Sequence, residues 1–229
     1  MLLRKADVVD GALKFLDSEG LDGLTMRKLG AALNVHGGAL YRHFPNKAAL
    51  LEAMANKLTE GVGVPLPEAP WREQIYILGQ RFRTAMLAHR DGARLVSGTH
   101  ATGANSITAG SLVVDVLCGA GLAPDQAGSL AFSLYYYVLG HTLDEQNQAQ
   151  TPAEEWQSGE DQLASRLSPQ YAEAFASLMN TDPAERFAYG LNTFIEGVAS
   201  RIPPATAAAP RAPASRASRT GPGVTGEPG

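Results

Sequence analysis

A chain of 229 residues with 45% hydrophobic content can bury the core of one or two domains, and a net charge of −4 excludes a uniformly basic nucleic-acid coat. Cys118 is the single cysteine, which excludes an intrachain disulfide and agrees with a reducing compartment. No run approaches ~18 uncharged apolar residues, so no membrane span is expected, and the start MLLRKADVVDGALKF does not read as a signal peptide. These features together predict a cytoplasmic protein.

The charge is unevenly spread. Residues 1–47 carry seven Lys/Arg (Arg4, Lys5, Lys14, Arg27, Lys28, Arg42, Lys47) against five acids (Asp7, Asp10, Asp17, Glu19, Asp22). The tail 201–229 holds Arg201, Arg211, Arg216 and Arg219 against Glu227, so the body between them is strongly acidic. A mildly basic N-terminal piece on an acidic body fits a nucleic-acid reader with a second task in the body.

In chain order, Val9, Leu13 and Leu16 repeat at helical spacing over 5–19, and Gly20 is positioned to end that helix. Thr25 can cap a second helix whose inner side is Met26, Leu29 and Leu33. After a turn near Asn34 and Val35, a short third helix carries Leu40, Tyr41 and Phe44 and is stopped by Pro45. Asn46 can cap a fourth helix, with Leu50, Leu51, Met54 and Leu58 at spacings of three to four. GVGVPLPEAP, residues 61–70, is a break. Helical patterns follow at 71–89, 91–98, 106–119, 124–147, 169–179 and 182–200, with no convincing alternating strand. Residues 149–168 are polar and predict a loop. From Pro203 the chain is Pro, Ala, Gly, Ser and Thr with scattered Arg, which predicts a disordered tail. The expected organisation is therefore all-α. A three-helix DNA-binding domain spans 1–47 and a connecting helix 48–60. A ligand-binding and dimerisation domain spans 61–202, and the tail 203–229.

The second helix, tight turn and third helix form a helix-turn-helix pattern. Leu29, Leu33, Val35 and Leu40 supply the apolar contacts that lock the pair. Gly37 and Gly38 cost roughly 1 kcal/mol each in helix propensity, and in exchange leave the start of the third helix free of bulk beside DNA.

On GLTMRKLG and ALYRHFPNKAALL, at their spacing within residues 20–54, the chain resembles the tetracycline repressor family. MLAHRDGARLVSGT (86–99) and GHTLDEQNQ (140–148) extend the resemblance into the tetracycline repressor's own type of core. The resemblance implies a homodimeric, ligand-responsive regulator. Most commonly such a protein is a repressor that binds a palindromic double-stranded operator and leaves it when a small molecule enters the core. Arg27 falls at the family's base-contacting arginine of the second helix, and its fork can bond guanine O6 and N7 together. His36, Gly37, Gly38 and Ala39 occupy the reading start of the third helix. Tyr41, His43 and Lys47 match backbone-contacting positions, and Thr25 belongs to the same DNA-facing set. Dimerisation is expected through 124–147 and 182–200, with Leu134, Tyr137, Phe187, Leu191, Phe194 and Ile195 as contributors to the interface or to the subunit's own core.

The resemblance also locates a pocket. Phe82 and Thr99 match pocket positions, and Asp144 stands where the repressor has a glutamate that helps hold magnesium through water. The magnesium-binding histidine position is Val96, and the two drug-gripping polar positions are Gly63 and Leu78. A valine cannot ligate magnesium, so the expected effector is a small apolar or aromatic molecule rather than tetracycline with magnesium. The expected lining is Phe82, Met86, Val96, Thr99, Phe132, Tyr135 and Met179, with Asp144 as a polar handle. His141 and Asp144 can share a helix face, but with His100 distant in sequence no metal site and no cofactor are expected. An enzyme would need a nucleophile–base pair, paired carboxylates or a phosphate loop, and none is found. A DNA-binding dimer without a small-molecule ligand is the remaining alternative.

Overall fold

A computed structural model describes residues 3–100, 102–151 and 168–202, and among them every regular element is helical. The chain runs α1 (Lys5–Gly23), α2 (Met26–Ala32), α3 (Gly37–Tyr41), α4 (Lys47–Leu58), α5 (Trp71–Leu87), α6 (Gly92–Ser97) and α7 (Ala104–Gly119). Then come α8 (Pro124–Gln150), α9 (Pro169–Asn180) and α10 (Pro183–Ala199). The predicted tail 203–229 and all but the ends of the predicted loop 149–168 lie outside the described residues. Ala149 and Gln150 belong to α8, because the helix continues past the predicted end at 147.

The local signals explain the boundaries. Gly20 sits at φ 74° and interrupts α1, so only a last turn through Gly23 follows it. Thr25 Oγ1 caps α2 by accepting the Lys28 amide at 3.2 Å, and Asn46 Oδ1 caps α4 by accepting the Ala49 amide at 2.8 Å. Asn34, at φ 54°, closes α2 with a Schellman pair: its amide reaches the Ala31 carbonyl and the Val35 amide reaches Gly30. That turn sets the α2–α3 crossing. α3 ends at Tyr41 rather than running to Phe44, which packs from the following turn.

One apolar core runs through the molecule. In the N-terminal unit, Val8, Leu16, Leu29, Leu40 and Phe44 are almost fully buried, and Leu50 and Met54 carry this core along α4. In the body, Phe187, Leu191, Ile195 and Val198 form the buried stripe of α10, set against α5 and α8. Leu134, Phe187, Leu191 and Ile195 are thus core of their own subunit, which resolves the two roles left open for them. Beneath this stripe Arg83 of α5 and Glu145 of α8 form a nearly buried ion pair, with the guanidinium stacked 5.2 Å from the Phe187 ring centroid.

Candidate nucleic-acid interface and internal cavity

The N-terminal face is electrostatically less balanced than its composition. Asp7 pairs with Arg4, whose hydrogen bond holds that carboxyl well down, at about 2. Asp17 is taken up by the body, 3.0 Å from His89 Nδ1 and accepting the Arg90 amide at 3.0 Å. Asp22 pairs with Arg94 at 3.0 Å. Among the described residues no ion pair involves Arg27, Lys28, Arg42 or Lys47. Counting net charge misses this, because it is the fold that draws the acids of α1 away from the free cations.

Arg27 stands in the first turn of α2 and is exposed, beside the exposed cap Thr25. His36 is the N-cap of α3 but makes no side-chain cap bond. A Cβ added to Gly38 would meet nothing within 4 Å, so nothing inside the subunit demands a glycine there. Ala39 is half-buried, Tyr41 is 54% exposed, and His43 and Lys47 are half-buried at the turn into α4. Leu40 and Phe44 anchor α3 from below. The short helix is therefore held by its underside and offers an outer surface of small groups rimmed by Arg27, Tyr41, His43 and Lys47.

The body holds a cleft of about 610 Å3 between the end of α4, α5, α6, α7 and α8, open to solvent beside Ile107, Phe132 and Tyr136, which are themselves largely exposed. Five predicted residues, Phe82, Val96, Thr99, Phe132 and Tyr135, line it, as does Leu78. Phe82 stacks on Tyr135 with centroids 5.7 Å apart, and Tyr136 meets Tyr135 edge-on at 5.5 Å. Burial pushes the Tyr135 phenol up, so it stays protonated at neutral pH.

Three predicted lining residues lie off this cleft. Met86 lies one turn beyond Phe82, but α6 folds back across that end of α5 and packs Gly92 on the Met86 carbonyl, so the side chain is core. Asp144 follows Tyr135 by nine residues, about half a turn out of phase, and is exposed with its carboxylate on Gln148. Met179 belongs to α9, which contributes no wall and buries no residue. Gly63 also lies off the cavity, against Thr108. Sequence reasoning missed Thr59, Val62, Ser106, Ile107 and Tyr136 as lining. The available signal was the face of α7 formed by Ile107, Gly110 and Val114.

His100, His141 and Asp144 do not meet. His141 lies against Tyr137 and Phe187, and its Nδ1 has no hydrogen-bond partner. Burial pulls its pKa below the usual imidazole value, outweighing the nearby Glu145. Among the described residues no cluster of His, Cys, Asp and Glu has metal-site geometry.

Two polar junctions tie the reading unit to the body. At the first, Asp91, left-handed at φ 56° and nearly buried, accepts the Leu21 amide at 2.8 Å and the Gln150 side chain at 3.3 Å. At the second, α4 and its cap Thr59 meet His100, just before α7, and the first turn of α7. Glu52 accepts the His100 amide at 2.7 Å, Asn56 accepts the Asn105 amide at 2.9 Å, and Thr59 Oγ1 bonds Ser106 Oγ at 3.2 Å. Thr59, His100 and Ser106 are also cavity walls, so the cavity and α4 share residues.

Comparisons with known proteins agree along most of the chain. Residues 8–54 match the profile of bacterial regulatory proteins of the tetR family, and residues 64–202 that of the tetracyclin repressor-like C-terminal domain. The class A tetracycline repressor from transposon 1721 of Escherichia coli is 34% identical over 202 residues, covering 87% of this chain and 92% of that protein. A possible TetR family regulator from Streptomyces coelicolor A3(2) superposes with a TM-score of 0.77 at 35% identity, covering 86% of this chain and all of that one. BioQ with its natural double-stranded DNA operator gives 0.68 at 32% identity, covering 86% and 99%. A TetR variant from Acinetobacter baumannii AYE in complex with minocycline gives 0.69 at 28% identity, covering 87% and 98%.

Proposed function

We propose that this chain, which belongs to the tetR family of bacterial regulatory proteins, is a homodimeric transcriptional repressor that a small apolar or aromatic molecule releases from a palindromic operator. The observation that carries the reading is α4. One continuous helix begins inside the helix-turn-helix unit and ends on the wall of a 610 Å3 cavity. A ligand shifts DNA affinity only through differential binding to two states, and shared residues such as Thr59 are where such a difference can arise. Operator binding by BioQ and drug binding by the TetR variant support both halves of the reading. It makes the chain a regulator rather than an enzyme. It also agrees with a cytoplasmic setting: among the described residues no helix is long and apolar enough to cross a membrane.

In this reading residues 1–47 read DNA, 48–60 connect and 61–202 bind the effector and dimerise. Arg27 reads a base, while Thr25, Tyr41, His43 and Lys47 set the register on phosphates with the amides of His36 to Ala39. The partner subunit packs on faces of α8 and α10 that the subunit's own core leaves free, including the exposed Tyr189 and Thr193. Tetracycline with magnesium fits this cavity poorly, because Val96 and Leu78 are apolar wall and Gly63 and Asp144 are off it.

The test uses an operator selected from random duplexes and fluorescence anisotropy. Arg27→Ala is expected to cost about 1–3 kcal/mol on the operator and to relax preference at one base pair per half-site. Equal losses on operator and random duplex would make Arg27 a phosphate contact and overturn its assignment.

A further inference from the structure

Building on the effector reading above, we propose that the cavity takes a flat, uncharged aromatic molecule bearing oxygen at two edges, held by the hydroxyls of Ser106 and Tyr135. Among the described lining residues there is no lysine, arginine, aspartate or glutamate. A buried carboxylate or ammonium on the ligand would have no counter-charge there, which disfavours charged compounds. The aromatic wall of Phe82, Tyr135 and Tyr136 selects a planar ring system.

The position of the ligand's oxygens follows from which hydroxyls are already engaged. Thr99 donates to the Val96 carbonyl and Ser97 to the Arg94 carbonyl. Thr59 Oγ1 lies within 3.1 Å of the Ala55 and Asn56 carbonyls as well as bonding Ser106. Ser106 has that one bond and so keeps unused hydrogen-bonding capacity. The Tyr135 hydroxyl makes no hydrogen bond among the described residues, although its ring is half-buried in the wall. A hydroxyl carries one donor and two acceptor sites, so both groups can take a ligand hydroxyl or carbonyl. A ligand carbonyl on Ser106 takes the hydroxyl proton that otherwise reaches Thr59, the residue that caps the end of α4, and so loosens the tie between α7 and the helix that carries the DNA reader; a ligand hydroxyl uses the free acceptor sites and leaves that tie in place.

The experiment is titration calorimetry on the full chain with three probes sharing one ring system. They are flavone, a dihydroxyflavone with one hydroxyl on each terminal ring, and a flavone carboxylate. The dihydroxyflavone should bind about tenfold tighter than flavone, and the carboxylate about tenfold weaker. Ser106→Ala and Tyr135→Phe should each weaken dihydroxyflavone about five- to tenfold, while Ser106→Thr, which keeps the hydroxyl, retains it. Circular dichroism and thermal melting identify variants that fail to fold. A carboxylate that binds as well as the dihydroxyflavone, or well-folded Ser106→Ala and Tyr135→Phe variants that bind it unchanged, would overturn this inference and leave the effector reading standing. Failure of all three probes to bind would overturn the uncharged-aromatic effector reading itself.

Discussion

Asp91 gives the sharpest test of how the reading unit is fixed to the body. Its carboxylate is buried and accepts the Leu21 amide just after the interruption of α1 at Gly20. Replacing it with alanine leaves that N–H without its partner, which costs about 1–3 kcal/mol. It also puts an alanine at φ 56°, a conformation that costs an ordinary residue about 1 kcal/mol or more. The expected total is about 2–4 kcal/mol, and for a chain of this size that is a fall in Tm of roughly 5–15 °C. Asparagine keeps an acceptor and tolerates the left-handed backbone. It loses the Gln150 hydrogen bond to the second carboxylate oxygen and the charge facing the partly exposed Arg94, together about 1 kcal/mol. Scanning calorimetry on Asp91→Ala and Asp91→Asn, with exchange of the Leu21 amide as the local reporter, separates the two terms. If Asp91→Ala melts with the wild type, or the two variants fall equally, the amide is not the point of attachment and the reasoning fails.

Glu145→Ala should destabilise the protein by about 3–5 kcal/mol in urea titrations, because Arg83 is left buried without its counter-charge. The double change Arg83→Met with Glu145→Leu should cost less than that single one, and an equal or larger loss would contradict the desolvation account. His141 is held neutral by burial, so below about pH 6.5 the unfolded chain takes its proton first and stability falls as pH drops toward the lowered folded value. His141→Phe, which also removes the unpartnered Nδ1, should flatten stability just below about pH 6.5 in pH-dependent melts; an unchanged slope would assign the acid sensitivity elsewhere. Tetracycline should show no magnesium-dependent heat of binding, and Val96→His alone should not create any; micromolar, magnesium-dependent binding to the wild type would show the pocket to be misread.

The helices were legible because their signals are local. Thr25 and Asn46 accept amides three residues on, Asn34 donates to a carbonyl three residues back, and the stripe from Phe187 to Val198 repeats at helical spacing. The cavity was legible only in part. Phe82 and Tyr135 could be anticipated from their helices, but Met86 is displaced from the wall by the return of α6, a contact between separate elements. Asp144 lies off the cleft for a different reason: correspondence with a relative placed it at the site, while the phase of α8 turns it to solvent. The acids of α1 were invisible as anchors, since nothing local in Asp17 or Asp22 points to Arg90 and Arg94 some seventy residues on.

The length of α4 is itself constrained by what its two ends do. Asn46 fixes the start of the helix on the DNA-reading unit, and Thr59 fixes its end on the cavity wall. Inserting one residue between Asn46 and Glu52 would advance the far end by only about 1.5 Å but rotate it by about 100°. Glu52, Asn56 and Thr59 would then point away from His100, Asn105 and Ser106, and the three ties would be lost together. Single exposed side chains along α4 can be exchanged one at a time, whereas an insertion or deletion is a change of angle that no single exchange restores. The helix thus acts as a keyed shaft, tolerant of altered surface and intolerant of altered residue number.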